Sequence, residues 1–139
     1  MILKKLDRHR DIGLFILRVG IGIMFMLHGF PKLAAGPALW TKLGGALGAI
    51  GVHFAPAVMG FLAALSEFGG GLLLVLGLFT RPACVFMFVT MAVATVNHVR
   101  GGDPFLVYSH ALEAAILFFS LFIIGPGRIS LDEKLSRKK

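Results

Sequence analysis

PAVMGFLAALSEFGGGLLLVLGLFT, residues 56–80, is the stretch that decides the fold. It is longer than the about 20 apolar residues a helix needs to cross a hydrocarbon core roughly 30 Å thick. A single acid, Glu67, interrupts it near the middle. Gly60, Ala63, Ala64, Gly70 and Gly71 stand three, four or seven residues from Glu67, so a helix puts them on its face. A stripe of small residues lets neighbouring helices approach closely, and Glu67 is therefore expected to point into a packed bundle. The other polar residues at membrane depth, namely Arg18, His28, Asn97, His98, His110 and Glu113, are expected to gather around it.

The composition agrees with a membrane chain. Of 139 residues, 57% are hydrophobic and 15% are charged, against about 25% charged in soluble domains. The net charge of +7 would suggest nucleic acid in a soluble chain. Here the basic residues crowd the ends, as Lys4, Lys5, Arg8 and Arg10, then Lys134, Arg137, Lys138 and Lys139. Beside apolar spans, that pattern reads as topology and contact with anionic lipid, with no nucleic-acid partner. The single cysteine, Cys84, excludes an internal disulfide or a CxxC pair and reads as a buried, inert thiol.

Four spans follow, at residues 12–30, 56–79, 83–99 and 105–124. Basic termini at 1–11 and 125–139 complete one domain. The expected fold is all-α, an antiparallel four-helix transmembrane bundle. Arg18 interrupts the first span, which a signal peptide rarely allows, so that helix is retained. Phe30-Pro31-Lys32 is expected to end it. In the connector at 33–54, Trp40, Leu43, Leu47 and Ile50 recur at helical spacing. They fit a short interfacial helix anchored by Trp40, or equally a Gly-rich loop. Thr80-Arg81-Pro82 and Gly101-Gly102-Asp103-Pro104 read as turns. Gly125-Pro126-Gly127 stops the last span, and RISLDEKLSRKK, residues 128–139, reads as a tail that is solvated or lies on the membrane. An even number of spans puts both termini on one side, and their basic residues place them in the cytoplasm.

At a rise of 1.5 Å per residue, Arg18 sits roughly 9 Å above the inner surface, and Glu67 and Glu113 roughly 16–18 Å. His28, Asn97, His98 and His110 sit roughly 20–24 Å up. The picture is a column with a cation below, two acids in the middle and imidazoles above. Each charge at such depth costs about 2.5–3.5 kcal/mol. Arg18 is the natural counter-ion, since its fork can bridge two carboxylates. One arginine cannot balance two acids, so Glu67 or Glu113 is expected to be protonated at pH 7 or to share a proton with its neighbour. In a functional reading Glu67, Glu113 and His110 handle protons, while Arg18, His28, Asn97 and His98 hold a ligand such as a quinone-like head group. The competing reading is an ion-pair network that fixes helix register beneath a wet polar cap. A metal is not expected, because His110 with Glu113 is a lone His-x-x-Glu pair. No phosphate loop, nucleophile elbow, haem attachment motif or dinucleotide fingerprint is present.

Three stretches carry a family resemblance. They are LRVGIGIMFMLHGFPKL (residues 17–33), SEFGGGLLLVLGLFTRPA (66–83) and, after His110 and Glu113, GPGRISLDEKL (125–135). The chain resembles the DoxX family of small four-helix bacterial membrane proteins over nearly its whole length. The matching polar positions are Arg18, His28, Lys32, Glu67, Arg81, His110 and Glu113. The resemblance implies the bacterial inner membrane. It also implies a link to thiosulfate:quinone oxidoreductase subunits and to quinone or thiol stress. The leading expectation is a membrane subunit that binds a quinone-like molecule and passes protons, catalytic only as part of a quinone-linked oxidoreductase. The alternatives are a small-molecule or proton transporter, and a non-catalytic adaptor for soluble redox enzymes. Expected partners are membrane lipid, the quinone-like molecule, and a soluble redox protein or further copies of the chain.

Overall fold

A computed structural model describes residues 7–137. Lys4, Lys5, Lys138 and Lys139, on which part of the basic-termini reading rests, lie outside the described residues. Among the described residues six α-helices run in order: α1 (Arg10–Ala34), α2 (Pro37–Gly44), α3 (Pro56–Leu76), α4 (Thr80–Arg100), α5 (Phe105–Ile124) and α6 (Leu131–Ser136). Among the described residues there is no strand. α1, α3, α4 and α5 are each long and apolar enough to cross a membrane. The protein is an all-α four-helix transmembrane bundle.

α3 is the hub. It packs against α1, α2 and α4, and α4 in turn packs against α5. Its glycines set the spacing. Gly22 of α1 and Gly71 of α3 lie so close that a Cβ on either would come within 2.6 Å of the other's carbonyl oxygen. Gly29 of α1 sits against the Phe68 backbone, and Gly70 sits under the Met87 side chain of α4. Phe25 and Phe118 close the core between α1 and α5, edge to face at 4.8 Å. Leu74, Cys84, Met87, Met91, Ala115 and Leu121 fill the rest. Large apolar side chains such as Ile16, Leu27 and Phe86 remain exposed on the outside, where lipid is the solvent.

Besides the turn expected at Thr80-Arg81-Pro82, which instead forms the start of α4, three elements differ from the expectation. First, α1 runs through Pro31 to Ala34. A proline this close to a C-terminus removes one hydrogen bond, to the carbonyl four residues earlier. The last turn survives, with the Ala35 amide donating to the Pro31 carbonyl at 3.0 Å. Lys32 is thereby carried on the helix, one turn beyond Gly29. Second, the connector is helical and packs on α3. α2 folds back on it, and a 3-10 turn at Gly45–Ile50 packs chiefly against α4. A Cβ at Gly60 would strike the Trp40 carbonyl, and one at Gly44 would strike the Pro56 carbonyl.

Third, the segment after α5 is no loose tail. α3 ends at Leu76 because Gly77 adopts the left-handed conformation (φ 64°), with the Leu78 amide closing back on the Leu73 carbonyl at 3.0 Å. Residues 125–132 cross this end of the bundle as a strap. The Arg128 amide donates to Asp11 Oδ1 at 2.9 Å. Ser130 caps α6 by accepting from the Glu133 amide at 3.2 Å. Asp132 accepts from the amides of Phe79 and Thr80 at 2.8 and 2.9 Å, and its own amide donates to the Gly77 carbonyl at 2.9 Å. Asp132 thus holds the strained Phe79 (φ 46°) and caps α4.

Candidate functional site

Among the described residues, two charged side chains are buried in the spans, Arg18 and Glu67, and they are far apart. Glu67 lies midway along α3, and its partner is Lys32, not Arg18. Lys32 Nζ donates to both carboxylate oxygens, at 2.7 and 2.6 Å. The antiparallel packing of α1 on α3 explains the change of partner. Gly22 meets Gly71 and Arg18 lies against Gly77. Arg18 is therefore level with a residue ten positions along α3 from Glu67, about 15 Å away along the axis and beyond an arginine's reach. Four turns further up α1, Lys32 is level with the acid.

The pair is shaped from several sides. Gly29, a turn before Lys32, brings the backbones of α1 and α3 together. Trp40 Nε1 donates to the Lys32 carbonyl at 2.9 Å, satisfying an acceptor that the end of α1 would leave free. The Trp40 indole stands edge-on to Phe61 at 5.0 Å, and Phe30 tilts against Phe68 at 6.0 Å. Ser66, next to Glu67, bonds Thr90 of α4 at 3.0 Å and fixes the rotation of α3. The Glu67 side chain is 6% exposed and that of Lys32 is 33% exposed. The carboxylate is buried, while the lysine side chain that reaches it is partly exposed.

Arg18 belongs to the strap. It is 1% exposed, and Nη2 donates to the Ile129 carbonyl at 2.7 Å. Asp132 acts on it electrostatically. Nε and Nη1 have no hydrogen-bond partner among the described residues. The guanidinium occupies the space a side chain at Gly77 would take.

The expected column is not formed. His28 is exposed, with its ring edge-on to Phe25 at 6.3 Å. Asn97 is half-buried. His98 Nδ1 meets Asp103 Oδ2 at 2.7 Å and closes the α4–α5 turn. His110 and Glu113 are exposed on α5. Counting residues along each span yields depth but not direction around the helix, and these groups share a depth while facing different ways. Among the described residues no three His, Cys, Asp or Glu side chains converge as metal ligands. A groove of about 470 Å³ lies at the strap, lined by Leu78, Leu131, Lys134, Leu135 and Arg137, with no part of the Lys32–Glu67 pair in it. Sequence reasoning missed Lys32 as the counter-ion, and Ser130 and Asp132 as strap residues. The signals were Gly29 and Lys32 one turn apart, and the capping pattern Ser130-x-x-Glu133.

Fold and site define a small four-helix integral membrane protein with one lysine–glutamate pair inside the bundle. The DoxX family model matches residues 13–100, and the chain belongs to the DoxX family. The match takes in α1 to α4, and so both members of the pair. A protein of Haemophilus influenzae described as uncharacterized is 34% identical over 98% of this chain and 100% of its own length. Inner membrane protein YphA of Escherichia coli is 32% identical over 90% of this chain and 91% of its own. Inner membrane protein YqjF of the same organism is 32% identical over 98% and 99%. No solved structure matches the chain.

Proposed function

We propose that this DoxX-family protein is a membrane subunit that binds a quinone-like molecule beside Lys32 and Glu67 and handles a proton there. One observation carries the reading: a two-pronged charge pair whose acid is buried and whose lysine side chain is partly exposed. A buried ion pair seldom adds net stability over apolar packing, so its presence at membrane depth favours a functional use. The ammonium offers a hydrogen bond to a quinone oxygen. Trp40, Phe61, Phe30 and Phe68 offer aromatic faces, and lipid accommodates an apolar tail. Glu67 accepts both of the lysine's hydrogen bonds, and it is the group placed to pass a proton when the pair opens. Electrons come from a soluble redox partner.

The relatives' inner-membrane location supports the same membrane for this chain. Arg10, Arg81, Arg128, Lys134 and Arg137 at the strap end support termini in the cytoplasm.

Trp40, the only tryptophan, reports on the site. A short-tailed quinone titrated into the protein in nanodiscs is expected to quench its fluorescence saturably. Lys32→Met should weaken binding about tenfold, as for loss of one hydrogen bond to a charged donor. Arg18→Lys should leave it unchanged. Quenching that never saturates, or equal affinity in Lys32→Met, overturns the reading.

A further inference from the structure

The groove at the strap has a chemistry that the Lys32–Glu67 reading does not use. It holds about 470 Å³ between Leu78 and the residues Leu131, Lys134, Leu135 and Arg137 of α6 and its C-terminal end. Leu131 and Leu135 stand one helical turn apart and share a face, and they are 37% and 55% exposed. Leu78 follows the end of α3, a membrane span that stops at Leu76. The groove therefore lies at the level where hydrocarbon gives way to water. The acids at this end of the bundle already have partners. Asp11 accepts from the Arg128 amide at 2.9 Å, and Asp132 accepts from the amides that start α4. Glu133 accepts from Arg137 Nε at 3.0 Å. Among the described residues Lys134 has no ion pair, and none of these acids is left for it.

We infer that the groove seats one anionic phospholipid. The three leucines take the upper part of its acyl chains, and Lys134 and Arg137 take the phosphate through charge-assisted hydrogen bonds. Position and charge select this occupant together. An apolar trough with an uncompensated cation at the membrane boundary fits a molecule that is oily at one end and anionic at the other. A free anion would leave the leucines uncovered. A zwitterionic lipid would bring a second cation beside Lys134. A cation at the membrane surface is worth about fivefold in affinity for anionic lipid. A helix of six residues does not form by itself. Here the Ser130 cap and the bonds of Asp132 hold it against the end of α3, so the groove exists before lipid enters. The site is independent of the Lys32–Glu67 reading, and each stands without the other.

Native mass spectrometry of the full chain, released from detergent micelles, tests it by counting bound lipid. In a titration, one dioleoyl phosphatidylglycerol is expected to bind at least about fivefold more tightly than dioleoyl phosphatidylcholine. Lys134→Gln should remove about fivefold of that preference, and Lys134→Arg should keep it. Leu135→Gln, at an exposed position, should weaken phosphatidylglycerol about fivefold with every cation in place. Arg10→Gln removes an exposed charge at the same end but outside the groove, and should change nothing. Equal affinity for the two lipids overturns the inference. So does an equal loss in Arg10→Gln, which would mean diffuse attraction to the basic end. Glycerol phosphate binding as tightly as the whole lipid also overturns it, because the leucines would then have no part.

Discussion

Lys32 with Glu67 and Arg18 with the strap are two answers to the same difficulty, a charge held inside a membrane bundle. Arg18 is closed in. Its partner is a main-chain carbonyl of the strap, Asp132 supplies the compensating charge, and Gly77 leaves it room. The Asp132 carboxylate is itself spent on capping α4. Little in that assembly can change without loosening the end of the bundle. The Lys32–Glu67 pair is built from side chains alone, and its lysine is partly exposed. It can open while the helices stay in place. Burial alone does not mark a functional charge. What separates the two is whether the partners are backbone that must stay put or side chains free to exchange a contact.

Substitutions sharpen or break that contrast. The largest effect is expected at the strap. Gly77→Ala would force Arg18 from its hydrogen bond to the Ile129 carbonyl and impose a side chain on a left-handed residue. It should destabilise by about 3–5 kcal/mol, read as the loss of a cooperative thermal transition in detergent. Asp132→Ala removes the acceptor for two amides at the start of α4 and should cost about 2 kcal/mol in the same melt. Trp40→Phe keeps the ring contact with Phe61 but loses the bond to the Lys32 carbonyl, and should cost about 1 kcal/mol. Ser66→Ala should cost about 0.6 kcal/mol, typical of a hydrogen bond between helices in a membrane. A strap substitution milder than Ser66→Ala would break the contrast.

The spans were legible because lipid demands long apolar runs, and Glu67's inward direction was legible because its small neighbours share one face. The pairing was not. Pro31 reads as the end of the first span, which leaves Lys32 at its edge and makes Arg18 the natural counter-ion. The direction of Glu113 was hidden for another reason. α5 is apolar on nearly all sides, so no stripe distinguishes core from lipid, and depth alone placed the acid with Glu67. The strap was half legible. Gly125-Pro126-Gly127 correctly marked a stop, but an aspartate that caps a helix more than fifty residues earlier leaves no local trace. Only the Ser130-x-x-Glu133 cap could be read from neighbours.

The most direct test is a double-mutant cycle on the pair, read by thermal stability. Lys32→Met leaves a sealed carboxylate without its cation and should destabilise by about 3–5 kcal/mol. Glu67→Leu leaves a lysine already one-third exposed, which can turn outward, and should cost less. The double variant should be close to the wild type, with a coupling of at least about 2 kcal/mol. Losses that simply add, with a coupling under about 0.5 kcal/mol, would mean that Lys32 and Glu67 do not hold each other.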